Sequence, residues 1–309
     1  MLDRASKTFF HLLAKSRLLQ NVASQYGMRR PTSFARRFIA GETVDEAIVA
    51  ARTVERQGFF LTLDYLGEGV ASLSEADVAT REYLKVIDAV IASGIERNLS
   101  LKLTQLGLDV DRASAVDNLR KILARADGFF IRIDMESSSY TDVTLDIFET
   151  LWHQGYHQIG AVLQADLMRT EEDVKRVMAL GARIRLVKGA YKEPRSIAYA
   201  HKADVDAAFA RLMERLLVDG RYPAIATHDP AMIALTRKFA AEKGIARDQF
   251  EFQMLYGIRR DLQTTLVGEG YRLRLYIPFG REWFPYFMRR LGERPANVGF
   301  VVRGILGET

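Results

Sequence analysis

The chain of 309 residues contains no cysteine. Disulfide bonds, cysteine-ligated zinc sites and thiol nucleophiles are therefore excluded together, and this composition is typical of a reducing compartment. No apolar run approaches the roughly 20 residues that a membrane-spanning helix needs. Charged residues are scattered through the first 20 positions, so no secretory signal is predicted. These absences favour a cytoplasmic location.

Several catalytic patterns are missing as well. The five histidines form no His-x-His or Glu-x-x-His spacing, so a catalytic metal is not expected. Neither the Gly-x-Ser-x-Gly turn of serine hydrolases nor the Gly-x-x-x-x-Gly-Lys loop of P-loop proteins occurs. Chemistry carried by a bound cofactor stays open.

Positive charge is concentrated at the N-terminus. Residues 1–41 hold eight Lys or Arg and one acidic residue, although the whole chain has a net charge of only +5. We predict an N-terminal helical arm over residues 1–45 and a catalytic domain over residues 46–309. The arm could lie on the inner face of the cytoplasmic membrane, pack on its own domain or on a second subunit of a homo-oligomer, or be a transit peptide. Packing is favoured.

Short apolar runs alternate with amphipathic stretches of helical length along the rest of the chain. Eight runs are predicted to be strands, at residues 59–65, 99–103, 129–133, 159–163, 184–187, 224–226, 250–255 and 273–277. Strand–helix alternation predicts a parallel sheet with right-handed crossovers. Because no Pro-, Gly- or Ser-rich linker interrupts the eight repeats, we expect one closed (β/α)8 TIM-like barrel rather than two doubly wound domains.

Polar side chains gather where these predicted strands end. Lys102, Asp134, Arg185 and Lys188 are charges inside otherwise apolar runs, and such charges need partners or a ligand when buried. In a barrel all eight strand ends lie at one mouth, where catalytic groups are found. A ring of structural ion pairs would explain the same charges. The alternative, which we favour, is a site for a large anionic cofactor and a small carboxylate.

The last strand leads into a helix with two adjacent arginines. Tyr276 lies in the apolar run, Pro278-Phe-Gly280 predicts a turn, and Arg289 and Arg290 follow on the helix. Guanidinium groups suit bidentate capture of a carboxylate or phosphate. The pair could equally complement the dipole at the end of the helix.

Seven motifs, in order within residues 58–303, resemble those of proline dehydrogenases. They are Leu66-Gly-Glu68, Leu101-Lys-Leu-Thr104, Ile133-Asp-Met-Glu136, Arg185-Leu-Val-Lys-Gly-Ala-Tyr191, Thr227-His-Asp229, Glu251-Phe-Gln-Met-Leu-Tyr-Gly257, and Tyr276-Ile-Pro278 with Tyr286-Phe-Met-Arg-Arg-Leu-Gly-Glu293. The resemblance is to the monofunctional bacterial form. It implies a (β/α)8 barrel that binds FAD without a covalent bond, oxidises L-proline to Δ1-pyrroline-5-carboxylate and passes the electrons to a membrane quinone.

The same resemblance implies roles for individual residues near the substrate. Lys102, Arg289 and Arg290 would bind the proline carboxylate, and Asp134 would hold Lys102. Arg185 would lie beside flavin N5. The proline ring would be walled by Tyr191, Leu255 and Tyr276. Separately from the resemblance, we predict that Glu68, on the Gly-containing loop after the first strand, pairs with Arg289 as a gate when proline is bound, since the first and eighth strands are adjacent in a closed barrel.

Further residues would contact the flavin. These are Met135, Gln164, Val187, Lys188, Gly189, Ala190, Lys202, Thr227, His228 and Glu293. One departure concerns Ala200-His201-Lys202, which stands where related enzymes often carry Thr-Arg-Lys. This difference weakens the assignment of phosphate contacts to Lys202.

Two other classes of function compete with this reading. A Schiff-base aldolase or lyase on the same barrel would use Lys102 or Lys188 as its nucleophile, which requires a lowered lysine pKa. A nucleic-acid binder would use the basic arm. Since the body of the chain is nearly neutral, we expect no nucleic-acid partner.

Overall fold

The computed structural model describes Met28 and residues 33–293, without the side chains of Phe34 and of residues 291–293. Most of the predicted N-terminal arm, including its amphipathic stretch, lies outside the described residues, as does the segment after residue 293. No helix within the described part of the chain is long and apolar enough to cross a membrane.

Eight parallel strands close into a barrel in chain order, β1 to β8. They are β1 (Phe60–Tyr65), β2 (Asn98–Leu101), β3 (Phe130–Ile133), β4 (Ile159–Gln164), β5 (Arg183–Val187), β6 (Ala224–Ala226), β7 (Glu251–Leu255) and β8 (Leu273–Phe279). β1 closes the barrel on β8 with Thr62 opposite Tyr276. The predicted (β/α)8 barrel is confirmed.

Two strand ends differ from the prediction. β2 ends at Leu101, because Leu103 and the residues after it turn into a short 3-10 helix, so Lys102 projects from the loop that follows the strand. β8 continues through Pro278 to Phe279, where a turn had been expected to begin. The Pro278 carbonyl still accepts a hydrogen bond from the Ala40 N–H at 2.9 Å, which extends the ordered edge.

Helices lie between the strands and around the barrel. They are α1 (Val44–Arg56), α2 (Leu73–Ser93), α3 (Arg112–Arg125), α4 (Thr141–His153), α5 (Thr170–Ala179), α6 (Lys202–Asp219), α7 (Pro230–Glu242), α8 (Arg260–Gly268) and α9 (Trp283–Glu293). A capping box begins α1, with the Thr43 hydroxyl accepting from the Glu46 N–H and the Glu46 carboxylate accepting from the Thr43 N–H. α2 and α3 begin with a side-chain cap alone, at Ser72 and Asp111.

Alternate residues of a strand face opposite sides of a sheet, and here the two sides differ in polarity. One set, represented by Leu61, Leu63 and Leu101, belongs to the main apolar core shared with the helices. The other set is buried and polar. It includes Thr62, Asp64, Ser100, Arg132, Arg185, Glu251, Gln253 and Arg274. Of the four charges predicted inside apolar runs, Arg185 belongs to this inward-facing set. Lys102, Asp134 and Lys188 lie just after their strands, at the mouth of the barrel.

A second apolar cluster holds α9 against the mouth of the barrel. It joins Trp283 and Phe287 of α9 to Phe38 and Ile39, which precede α1. Trp283 Nε1 also donates to Glu42 at 3.0 Å. The domain boundary at residue 45 stays a prediction, but the described part of the arm packs on the helix that carries the arginine pair.

Candidate functional site

The centre of the mouth is the carboxylate of Asp134, which lies just after β3. One oxygen accepts from Arg185 at 2.6 Å and the other from the Tyr276 hydroxyl at 2.8 Å. The second oxygen is also 3.6 Å from Lys102 Nζ. Strands β3, β5 and β8 are not neighbours in the barrel. Their acid, guanidinium and phenol therefore meet across the barrel interior rather than along one edge of the sheet.

Lys102 has a closer carboxylate than the one predicted for it. Its Nζ lies 3.3 Å from Asp64 on β1 and 3.4 Å from the Tyr276 hydroxyl. Desolvation opposes the charged form of Lys102, but Asp64 and Asp134 outweigh it and raise its pKa. Burial raises the pKa of Asp64, against the pull of Lys102. Asp64 was visible in the sequence as a polar strand end, yet no role had been assigned to it.

Arg185 is held on three sides in the barrel interior. Besides Asp134, it donates to Gln253 at 2.5 Å and to Ser100 at 3.0 Å. Its guanidinium carbon also lies 5.3 Å from the centre of the Tyr276 ring, within range of a cation–π contact. Ser100 and Gln253 are uncharged, so a prediction based on charges inside apolar runs assigned no role to either residue.

The two adjacent arginines on α9 contact different residues. Arg289 forms an ion pair with Glu68, in the loop after β1. Desolvation opposes its charge, but Glu68 prevails and raises the pKa of Arg289. The Arg290 guanidinium lies 5.1 Å from the Tyr286 ring on its own helix. Since Arg289 reaches across to β1, complementing the helix dipole is not its sole contact.

Tyr191 belongs to the same part of the mouth. It follows β5 and keeps 38% of its surface exposed, so it forms part of the rim. Desolvation of the hydroxyl, followed by the nearby charges of Glu68 and Glu136, raises the pKa of Tyr191 to about 12. Leu255, at the end of β7, is half-buried against the α9 cluster.

A second polar group lies at the ends of β5 and β6. Lys188 forms ion pairs with Asp206 and with Asp229, the latter at 2.6 Å. Lys202 shares both carboxylates, although its side chain is 74% exposed. Burial would raise the pKa of Asp229, but hydrogen bonds led by that of Lys188 lower it to about 2. These ions hold the start of α6 against the start of α7.

A cleft of about 330 Å³ opens beside these ions, lined by Lys188, Thr227, His228 and Asp229 among others. His228 Nε2 accepts from the Leu255 N–H at 2.9 Å, so this ring nitrogen carries no proton in that bond. This hydrogen bond ties the end of β6, which lines the cleft, to the backbone of β7.

The ends of β4 and β5 complete this side of the mouth. Gln164 is buried and donates to the Glu136 carbonyl at 3.0 Å, next to buried Met135. Gly189 has a φ of 116°, and a Cβ there would come within 2.1 Å of the Asp166 carboxylate. A side chain at this position is therefore excluded both by conformation and by space.

The described part of the chain brings the predicted residues together in two adjoining groups. The first contains Lys102, Asp134, Arg185, Tyr191, Leu255, Tyr276, Arg289 and Glu68. Arg290 follows Arg289 on α9, with its guanidinium over the Tyr286 ring. The second contains Met135, Gln164, Val187, Lys188, Gly189, Ala190, Lys202, Thr227 and His228. The side chain of Glu293 lies outside the described residues. Among the described residues, no group of three His, Asp or Glu is placed to hold a metal ion.

Comparison with known proteins identifies the family. The sequence model of the family described as proline dehydrogenase matches residues 47–303. Proline dehydrogenase 1 of Bacillus subtilis is 44% identical over 299 residues, which is 96% of this chain and 98% of that protein. The Deinococcus radiodurans proline dehydrogenase is 43% identical over 288 residues, covering 91% of this chain and 93% of the relative.

Solved structures share the fold. The proline utilization A protein (PutA) of Bdellovibrio bacteriovorus, inactivated by N-propargylglycine, superposes with a TM-score of 0.79 at 28% identity. The match covers 89% of this chain and 34% of that longer one. With near-complete coverage of the shorter relatives and the same closed barrel, the chain belongs to the proline dehydrogenase family, enzymes that oxidise proline in proline catabolism.

Proposed function

We propose that the chain oxidises L-proline to Δ1-pyrroline-5-carboxylate with non-covalently bound FAD as the oxidant. The observation that carries this proposal is the convergence of Lys102, Asp134, Arg185 and Tyr276 in one hydrogen-bonded network at the barrel mouth. When bound, FAD supplies the acceptor for the hydride that leaves proline C5.

Lys102, Arg289 and Arg290 are proposed to bind the substrate carboxylate. Three cations are reasonable here, because a single one would not offset the cost of removing a carboxylate from water. Asp64 and Asp134 keep Lys102 protonated and limit its movement. Tyr276, Tyr191 and Leu255 would then wall the apolar ring of the substrate.

Asp134 is proposed to fix the geometry around the reacting carbon. By binding both Arg185 and Tyr276, it fixes the position of the guanidinium relative to the face of the tyrosine ring. Arg185 would lie beside flavin N5, where its charge favours the electron-rich reduced cofactor. The C5–H bond breaks as the C=N bond forms, and the proton on the proline nitrogen is lost to solvent.

The second group of residues fits a flavin nucleotide. The cleft beside Lys188, Thr227 and His228 lies at the carboxyl ends of the strands, the side on which barrels bind cofactors. Lys188 gives two donors to Asp206 and Asp229, and an ammonium has a third N–H for a phosphate oxygen. The Asp166 carboxylate occupies the place of a Cβ at Gly189, so only the exposed backbone at this position would contact the flavin.

The ion pair between Glu68 and Arg289 is proposed to act as a gate. It links the loop after β1 to α9 across the seam where the barrel closes. Keeping this pair closed over bound proline would exclude water before hydride transfer.

Electrons are proposed to pass from the reduced flavin to a membrane quinone. The chain would then work at the inner face of the cytoplasmic membrane, with its arm as the contact or as a surface for self-association. The measurement is reduction of a quinone by the enzyme with proline, in detergent and with vesicles containing the quinone. Turnover with a soluble dye but none with any quinone would refute this part.

The absorption spectrum tests the central proposal. Purified enzyme supplied with FAD should have a yellow flavin band that bleaches when L-proline is added without oxygen. Protein that cannot take up FAD would contradict it. A Schiff base on Lys102 is disfavoured, since the carboxylates around it raise its pKa, and a nucleophilic lysine must lose its proton.

A further inference from the structure

A continuous run of buried polar side chains lies below Arg185 in the barrel interior. Gln253 Oε1 accepts from Arg185 Nε at 2.5 Å, and Gln253 Nε2 donates to Glu251. Arg274 binds both oxygens of Glu251, at 2.8 and 3.0 Å, and also reaches Glu96 at 2.6 Å. Gln253, Glu251 and Arg274 are 3%, 1% and 7% exposed. Nothing in the proposed mechanism uses these three side chains, which we call the core relay.

Within the core relay, Glu251 and Arg274 determine which end of the Gln253 amide faces Arg185. An amide has an accepting end and a donating end, and only the accepting end can bind a guanidinium. An ionised carboxylate only accepts, so Glu251 can bind only the Gln253 NH2 and thereby turns Oε1 towards Arg185. Burial would raise the pKa of Glu251, but Arg274 prevails and lowers it, which keeps the acid ionised.

Every branch of the Arg185 guanidinium is thus held by a different partner. Asp134 binds one terminal nitrogen, Ser100 binds the other, and Gln253 binds Nε. Three fixed contacts define both the position and the plane of the group. Loss of the contact at Nε would let the guanidinium rotate about the remaining two.

We infer that Gln253 is a positioning residue that orients Arg185 for hydride transfer, and that Glu251 and Arg274 fix the orientation of Gln253. The inference rests on the proposed place of Arg185 beside the flavin. Its contribution is to the reaction step rather than to substrate capture, because the core relay lies on the far side of Arg185 from the cations assigned to the proline carboxylate.

Gln253→Met tests the inference by removing the acceptor at similar length. The limiting rate of flavin reduction should fall by about 10- to 150-fold, the range for one hydrogen bond to a charged group. The KM for proline should change by less than about threefold, since the carboxylate-binding cations are untouched. The flavin midpoint potential, measured by equilibrium titration against a reference dye, should become more negative because Arg185 no longer holds its place near the reduced ring.

Gln253→Glu gives a second, nearly isosteric measurement if the methionine variant fails to fold. A protonated glutamic acid can donate to Glu251 and accept from Arg185, as the amide does. Its ionised form would put two carboxylates together among Arg185, Arg132 and Arg274 on β5, β3 and β8. The limiting rate should therefore fall with rising pH in this variant by a step that the parent enzyme lacks.

Asn118→Leu is the matched control, because Asn118 is a buried amide on α3 whose hydrogen bonds go to the Leu106 carbonyl and Lys121 rather than to the residues around Arg185. It should lower the melting temperature without moving the flavin potential. Parent-like rates and potentials in both Gln253 variants, with Arg185→Met lowering both, would overturn the inference alone. If Arg185→Met also left them unchanged, the proposed role of Arg185 would be wrong instead.

Discussion

Replacing Asp134 by alanine should separate catalysis from cofactor binding. The carboxylate accepts hydrogen bonds from Arg185 at 2.6 Å and Tyr276 at 2.8 Å, and lies 3.6 Å from Lys102. A hydrogen bond to a charged group is worth about 1.5–3 kcal/mol. If the variant loses the equivalent of one such bond in the transition state, turnover falls by about 10- to 150-fold.

Flavin content should fall much less, because the residues proposed to hold the nucleotide lie in the group around Lys188 and His228. The assay is anaerobic stopped-flow reduction by proline, with bound FAD measured from the spectrum of the same sample. Stability should also fall, since removal of one partner from a buried charge pair costs about 3–5 kcal/mol.

A matched control separates the effect of losing Asp134 from the site from the general effect of losing a buried acid. Asp173 is 4% exposed and binds Arg169 at 2.8 and 3.0 Å on α5. Asp173→Ala should destabilise the protein while leaving the limiting rate near that of the parent. Parent-like turnover in Asp134→Ala would refute the assigned role, as would equal losses of turnover in both variants.

Four other perturbations have expected outcomes. Arg290→Met should raise the proline KM by tens-fold or more, because removing a buried partner of a charge costs about 2–5 kcal/mol. Glu68→Ala should raise the KM clearly less, but it should slow the limiting rate of flavin reduction. An unchanged limiting rate in Glu68→Ala would make that residue ordinary loop surface. Burial, followed by the charge of Glu193, raises the pKa of Asp166 to about 7. The stability that protonated Asp166 contributes is therefore present below about pH 4 and is lost as the pH rises towards 7. Over this interval the melting temperature of Asp166→Asn should increasingly exceed that of the parent, and a constant difference would contradict the raised pKa. Deleting residues 1–27, which stops short of the α9 cluster at Met28, should leave dye-linked proline oxidation largely intact, and loss of FAD from a folded truncation would place the arm in the site.

Much of the barrel was encoded locally. Each strand is a short apolar run between amphipathic stretches, and helix starts such as Thr43 and Asp111 carry their own capping side chains. These signals depend on neighbouring residues, so the sequence alone was enough to predict eight repeats and a closed barrel. The buried charges could also be predicted from the sequence, because an ion inside an apolar run needs a partner whatever fold the chain adopts.

The partners of those charges were decided by the tertiary structure. Lys102 had been assigned to Asp134, but the pairing of β1 with β2, which sets Asp64 opposite Ser100, puts Asp64 nearer. Gln253 and Ser100 carry no charge that would mark them, and they meet Arg185 only because strand register turns them into the same interior. A sequence determines which side chains must be satisfied, whereas closure and register across distant strands determine which atoms come within hydrogen-bonding distance.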